Sequence, residues 1–142
     1  MKLRHIIICI LSTIIIYPSC NDSLPHDDIP RVLVSEELNL NDYRYLALKQ
    51  AGGFIYIDGG VRGIIVYRNY QDQFLAFERN CPYQPGNSCA LVSVDKSNQY
   101  LTDSCCFSNF DFDGLPIAGP AEFPLLQYIT TVSQDILYIS SD

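Results

Sequence analysis

The amino-acid sequence predicts an all-β domain, and three observations support this prediction. Apolar runs are short, alternate with polar residues and are bounded by clusters of Gly, Pro, Asn and Asp, as in strands joined by tight turns. Tyr and Phe are abundant among the apolar residues, and aromatic residues are enriched in strands. The sequence contains neither a sustained amphipathic helical pattern nor an internal repeat. These features favour an antiparallel β-sandwich or barrel.

The predicted strands follow one another closely along the chain. Alternating apolar residues predict one strand or two short strands over 31–40. Asp58-Gly59-Gly60 is a strong hairpin turn, so 54–58 and 63–68 are predicted to pair. Residues 42–50 fit either a helical turn or an edge strand. The other predicted strands are 74–78, 89–95, 100–105 and 110–112, followed by a hairpin of 128–132 and 136–139.

The length of the chain and its net charge limit the classes of function that the sequence supports. A chain of 142 residues predicts one domain with a hydrophobic core of useful size. The formal net charge is −7, and all sixteen acidic residues lie after residue 19. Because the sequence has no basic cluster, nucleic acid is not expected as a partner. The acidity is interpreted as a contribution to solubility.

The first nineteen residues predict an export signal. Lys2 and Arg4 precede an apolar run over 6–16, which is too short to span a bilayer as a mature helix. Ser19-Cys20 then resembles the cleavage site of a bacterial lipoprotein, although Tyr17 occupies a position where Leu is more usual. We expect Cys20 to become the lipidated first residue and to anchor the protein in the envelope membrane. The alternatives are an ordinary signal peptide and an uncleaved anchor.

A flexible tether is predicted to follow the lipidated cysteine. Residues 20–30 are polar and acidic and contain two prolines, and the β domain is assigned to 31–142. The two histidines of the chain, His5 and His26, both precede the domain. The domain itself therefore offers neither a histidine ligand to a metal nor a histidine base to a hydrolase.

Two cysteine loops carry the most specific pattern in the sequence. The first contains Cys81-Pro82-Tyr83, and the second contains Cys105-Cys106-Phe107-Ser108 followed by Phe112-Asp113-Gly114 and a Gly-Pro-Ala segment at 119–121. This order resembles a Rieske [2Fe–2S] domain, in which Cys-x-His and Cys-x-x-His loops hold the cluster. The resemblance implies an antiparallel Rieske-like fold of the iron–sulfur-protein type. It places Cys81, Tyr83, Cys105 and Ser108 at the cluster positions.

The resemblance fails at both histidine positions. Two Cys hold one iron and two His hold the other in a Rieske centre, whereas this chain has Tyr83 and Ser108 in place of the histidines. A phenol with a pKa near 10 is a poor substitute for imidazole, and an unactivated serine hydroxyl is poorer still. The expectation is therefore a degenerate cluster-binding tip with no cofactor. A [2Fe–2S] cluster with atypical ligands is the alternative, for which Cys81 and Cys105 are the candidate metal ligands.

Four cysteines, Cys81, Cys89, Cys105 and Cys106, belong to the predicted domain. An exported protein is expected to form disulfides, and a bond between the neighbours Cys105 and Cys106 would be strained. Because Cys81 and Cys105 share an iron in the architecture that the chain resembles, the resemblance implies the pairs Cys81–Cys105 and Cys89–Cys106. A cluster or a zinc ion held by all four thiolates is also conceivable, but the spacing is not that of a structural zinc site.

Two functions follow from these patterns. The first is an exported, lipid-anchored, non-catalytic module that serves binding or structure in the bacterial cell envelope and meets an envelope partner at the loop tip. The second is an electron carrier with an atypically ligated [2Fe–2S] cluster. Hydrolase chemistry is not expected, because Lys49 and Lys96 are the only lysine bases in the domain.

Overall fold

The computed structural model describes residues 29–142. The predicted signal peptide, Cys20 and most of the tether lie outside these residues. Ten strands and one 3-10 helix, Tyr43–Lys49, make up the described part. The strands are β1 (Ser35–Asn39), β2 (Phe54–Ile57), β3 (Ile64–Arg68), β4 (Phe74–Glu78), β5 (Val92–Val94), β6 (Leu101–Asp103), β7 (Asn109–Phe110), β8 (Pro116–Ala118), β9 (Gln127–Ser133) and β10 (Ile136–Ser140).

The larger sheet has six strands in the order β1-β10-β9-β4-β3-β2, and every pair in it is antiparallel. Strand β3 lies between β4 and the edge strand β2, and its residues Ile64, Ile65 and Val66 are fully buried. Residues from β1, β10 and the 3-10 helix pack on one face of β3 and β4, since Leu38, Leu48 and Leu137 share one apolar cluster with them. This cluster anchors the sheet.

The smaller sheet has four antiparallel strands in the order β5-β6-β7-β8 and packs on the other side of β4. Val92, Leu101 and Phe110 are fully buried against Phe77 of β4. Gly114, with φ of +80°, lies over the Phe77 ring, where a β-carbon would come within 2.7 Å of the ring. The second apolar cluster therefore fixes the small sheet, and both cysteine loops with it, to the large one.

The all-β prediction is confirmed, and the structure settles the ambiguous segment. Residues 43–49 form a 3-10 helix because the Asp42 carboxylate caps its N-terminus by accepting the N–H of Arg44 at 2.9 Å. The predicted strands 89–95 and 100–105 each contain a strand of only three residues, and the predicted strand 110–112 overlaps the two-residue strand β7 only at Phe110. The flanking positions form turns that are held by Asn87, Asp95, Asp103 and Asp111. None of the helical segments within 29–142 has the length and apolar character needed to cross a bilayer.

Candidate functional site

The first cysteine loop, residues 81–90, leaves the end of β4 and is held by an arginine. The Arg62 guanidinium donates to the carbonyls of Ser88 and Asn87, each at 2.6 Å, and of Pro85 at 3.4 Å. The Cys81 side chain is fully buried at the start of the loop, whereas Cys89 is exposed near its end. The loop thus presents one cysteine to the core and one to the surface.

The second cysteine loop, residues 103–108, is a tight turn built on Asp103. The Asp103 carbonyl accepts the N–H of Phe107 at 2.8 Å, and its carboxylate accepts the N–H of Cys105 at 2.7 Å. Phe107 takes a positive φ of +62° and is 76% exposed at the apex. Because the backbone curls at this point, the adjacent Cys105 and Cys106 side chains reach different partners.

The disulfide pairing differs from the one expected. Cys89 bonds to Cys105 across the two loops, with their Cα atoms 5.6 Å apart, while Cys81 and Cys106 are free thiols. The pairs Cys81–Cys105 and Cys89–Cys106 are therefore wrong. The turn at Asp103 is the reason, because it directs Cys105 to the exposed Cys89 and Cys106 to the buried Cys81.

The same turn corrects the assignment of the cluster positions. The residue that faces Cys81 is Cys106, with 3.9 Å between the two sulfurs, and not Cys105. Cys105 belongs to the disulfide and cannot serve as a metal ligand. The Cys106 sulfur also lies 3.4 Å from the Asp103 carboxylate and 3.0 Å from the Ser108 hydroxyl. A compact set of sulfur and oxygen donors results.

Burial governs the chemistry of Cys81. Removal from water raises the pKa of the Cys81 thiol far above its ordinary value, and the nearby Asp103 carboxylate raises that pKa further. The backbone N–H of Tyr83 acts in the opposite direction but is the weaker effect. Without a cation, Cys81 is thus a neutral thiol and a poor nucleophile at neutral pH.

Ser108 is part of the packing around this set. It is fully buried, and its hydroxyl accepts the N–H of Ala121 at 3.1 Å. Gly119, with φ of +89°, brings the following segment so close that a β-carbon there would lie 2.5 Å from Phe107 O and Ser108 Cα. The Gly-Pro-Ala segment that the sequence singled out therefore closes over the second loop.

Tyr83 has a looser position. Its ring is half-buried and packs against the second apolar cluster, and its hydroxyl lies 3.5 Å from the Gln84 amide nitrogen. Phe112, which the motif also included, stacks on Tyr67 with 4.3 Å between ring centroids. These aromatic residues are packing groups of the domain.

Asp103 is the site residue that sequence reasoning missed. Its carboxylate is fully buried, and a carboxylate oxygen of Asp103 lies within 4.8 Å of both the Cys81 and Cys106 sulfurs. The available indication was an aspartate two residues before Cys105, at the end of a predicted strand, where an acidic side chain commonly accepts a backbone N–H in a turn. Its approach to Cys81 depends on tertiary contacts between the loops.

Comparison with solved structures identifies the architecture. The chain is similar to the cyanobacterial plasma membrane Rieske protein PetC3 from Synechocystis PCC 6803. The TM-score is 0.51 at 24% identity, and the match covers 61% of this chain and 84% of that one. The chain has a Rieske-like fold. No family model and no curated protein matches the sequence.

The residues of this Rieske-like fold do not fit a two-iron cluster. Cys81 and Cys106 are close enough to bind one metal ion together. A second iron would need two further donors, but Ser108 is engaged with Ala121 and Tyr83 is an unactivated phenol. Four thiolates are not available either, since Cys89 and Cys105 form a disulfide. Among residues 29–142, the donor set is sufficient for one ion only.

Proposed function

We propose that this protein is an exported, lipid-anchored Rieske-fold domain without an iron–sulfur cluster, which serves as a non-catalytic binding or structural module of the bacterial cell envelope. The fold likeness to a plasma membrane Rieske protein supports the architecture and agrees with an envelope location. The sequence supports export and lipidation at Cys20. The two cysteine loops, residues 81–90 and 103–108, which form the tip of the domain, supply the argument against an iron–sulfur cluster.

One observation carries the proposal. Ser108, which the resemblance places at the second histidine position when the motif is counted from Cys105, is fully buried and accepts the N–H of Ala121 while contacting the Cys106 sulfur. Counted from Cys106, that position falls on Asn109, whose amide oxygen accepts the Thr102 hydroxyl at 2.7 Å. A histidine in place of Ser108 would have to displace the segment that Gly119 brings against the loop. The site has therefore been rebuilt as packing, and the fold persists without the ligands of the second iron.

The tip offers a surface for an envelope partner. Phe107 is 76% exposed at the apex, and Ile117, from the segment that closes over this loop, is 57% exposed. The Cys89–Cys105 bridge fixes the shape of the apex without any metal. A rigid apolar apex on a tethered domain is suited to contact with another protein.

Electron transfer through a [2Fe–2S] cluster is the second candidate. It is favoured by the 3.9 Å separation of the Cys81 and Cys106 sulfurs, which suits two ligands of one iron. It requires two unusual oxygen ligands on the other iron.

Metal analysis of natively expressed protein separates the two candidates. The full-length protein is purified anaerobically beside a histidine-ligated Rieske protein, and iron, acid-labile sulfide and visible absorption are measured for both. We expect the reference to be coloured and this protein to be colourless with only traces of iron. Two irons and two sulfides per chain would overturn the proposal and establish the electron carrier.

Lipid anchoring has its own test. Cys20→Ala is expected to move the protein from the membrane fraction to the soluble fraction, and mass spectrometry of the wild type should detect acyl chains on Cys20. Cys9→Ala is the matched control, because Cys9 is predicted to be removed with the signal peptide. Membrane retention of the Cys20→Ala protein would contradict anchoring at this residue.

A further inference from the structure

Two sulfur donors and one oxygen donor from different parts of the chain converge beneath the loop tip. The sulfurs of Cys81 and Cys106 are 3.9 Å apart, and the Cys106 sulfur lies 3.4 Å from the Asp103 carboxylate. All three donor atoms lie within 4.8 Å of one another. Cys81 and Asp103 are fully buried, and Cys106 is half-buried. They come from the end of β4, the end of β6 and the loop that follows.

These separations match the edges of a tetrahedral zinc site. With Zn–S bonds of about 2.3 Å and Zn–O bonds of about 2.0 Å, tetrahedral angles place two sulfurs about 3.8 Å apart and a sulfur and an oxygen about 3.5 Å apart. The sulfur–sulfur separation of 3.9 Å and the sulfur–oxygen separation of 3.4 Å are close to these values. Two of the three edges therefore have the lengths that the ion needs, and the third, between the Cys81 sulfur and an Asp103 oxygen, is no longer than 4.8 Å.

The surroundings of the Asp103 carboxylate also point to a bound cation. No ion pair among residues 29–142 involves Asp103, whose carboxylate accepts one backbone N–H and is otherwise approached by the thiols of Cys106 and Cys81. A buried carboxylate without a cation is costly. A divalent ion would give the carboxylate a direct cationic partner and would let both thiols bind as thiolates after release of two protons, as metal ligands must.

We propose that Cys81, Asp103 and Cys106 form a mononuclear binding site for zinc, with water in the fourth position. Thiolates combined with a carboxylate suit this borderline-soft ion, and water can reach the site beside the half-exposed Cys106. The inference rests on the proposed function, because the same sulfurs would be needed for a cluster. Since zinc has no redox chemistry, the site would serve structure or binding and carry no electrons.

Ser108 would position one ligand. Its hydroxyl lies 3.0 Å from the Cys106 sulfur and is itself held by the N–H of Ala121. Groups that orient a metal ligand in this way typically change metal affinity by about 10–100-fold when removed. We therefore assign Ser108 as a positioning residue and expect Ser108→Ala to weaken zinc binding by a factor in this range.

The first test uses the unaltered full-length protein, so no variant has to fold. Zinc is measured after anaerobic purification, and accessible thiols are counted before and after chelation. We expect one zinc per chain, with two thiols that react only once the zinc is removed. Iron and sulfide would overturn the proposed function together with this inference. A Cys81–Cys106 disulfide, or two thiols that bind no zinc, would overturn this inference alone.

Cobalt substitution identifies the ligands. The Co²⁺-loaded wild type should give a thiolate charge-transfer band and tetrahedral d–d bands, and Cys81→Ser and Cys106→Ser should lose stoichiometric binding. Asp103→Asn should keep the thiolate band, shift the d–d bands and bind more weakly. The control Cys89→Ser/Cys105→Ser, which removes two cysteines outside the site, should still bind one cobalt. Equal binding by all variants would contradict the assignment.

Discussion

Two buried carboxylates, one at the end of a strand in each sheet, have different surroundings. Glu78, at the end of β4, accepts the N–H groups of Val61, Arg62 and Asn80 and the hydroxyl of Tyr128 at 2.7–3.0 Å. Asp103, at the end of β6, accepts one N–H group and contacts a thiol. Both are fully buried. The Glu78 carboxylate accepts four hydrogen bonds, which satisfy its two oxygens without a cation. The Asp103 carboxylate accepts a single N–H and has two sulfurs nearby, an arrangement that is suited to binding a cation.

The loop over Glu78 explains why that carboxylate is structural. Gly60, with φ of +59°, lies directly against the Glu78 carboxylate and the Tyr128 hydroxyl, so no β-carbon fits there. The β2–β3 turn thereby folds onto Glu78 and supplies its N–H donors. Glu78 fastens a hairpin to the sheet, while Asp103 shapes a turn that carries two cysteines.

The largest expected effect is at Glu78. Glu78→Gln places an amide N–H₂ against two of the four donors, and we expect it to lower the free energy of unfolding by about 3–4 kcal/mol, because buried donors lose a charged acceptor. Urea denaturation followed by circular dichroism measures this change. Glu37→Gln, on an exposed position of β1, is the control and should change stability by less than about 0.5 kcal/mol.

The variant Asp103→Asn tests whether the Asp103 and Glu78 carboxylates have different roles. In chelator-treated protein we expect a cost of about 1 kcal/mol, because the amide oxygen can still accept the Cys105 N–H. In zinc-loaded protein the cost should be larger, since the variant also loses the stabilisation that metal binding supplies. Equal costs for Glu78→Gln and Asp103→Asn without metal would mean that the two carboxylates play the same role.

After Glu78→Gln, removal of the disulfide should have the second-largest effect on stability. Removing the Cys89–Cys105 bridge, which spans 16 residues, with Cys89→Ser/Cys105→Ser should lower the free energy of unfolding by about 3 kcal/mol by the chain-entropy argument. Peptide mapping under non-reducing conditions provides the direct check. A Cys81–Cys105 peptide would contradict the pairing in the structure.

Gly119→Ala should destabilise by about 2 kcal/mol, because its positive φ and close backbone neighbours exclude a β-carbon. Gly86→Ala is the matched control, since a β-carbon there meets no atom within 4 Å. Thermal unfolding of the two variants measures the difference. Equal melting temperatures would show that the segment at 117–120 is not packed on the second loop.

The smallest effect at neutral pH concerns Tyr128. Burial, followed by the neighbouring Glu78 carboxylate, raises the pKa of Tyr128 above its ordinary value of 10.0. The neutral form is thus favoured in the fold, so its stabilising contribution is complete below pH 10 and is lost as pH rises further. The pKa of the buried Cys81 thiol is also raised above its ordinary value of 9.0, so its stabilising contribution should likewise be lost as pH rises above 9.0. Tyr128→Phe should flatten the alkaline fall in stability measured by urea denaturation.

Local patterns predicted the fold better than the site. The hairpin at Asp58-Gly59-Gly60 and the strand at 74–78 depend on nearby residues, and the structure has both. The cysteine pairing depends on a bend between Cys105 and Cys106 that Asp103 imposes by accepting the N–H groups of Cys105 and Phe107. Residue spacing alone does not encode such a bend, so Cys105 was assigned the role that the structure gives to Cys106.

The most direct test of the account is anaerobic reconstitution of the full-length protein with ferrous iron and sulfide, followed by EPR of the dithionite-reduced sample. A histidine-ligated Rieske protein treated identically must acquire its cluster signal. We predict no two-iron signal from this protein, because Ser108 and Tyr83 cannot replace the histidine ligands. A stoichiometric signal from a reduced two-iron cluster would contradict the central claim that the Rieske-like fold persists here without its cluster.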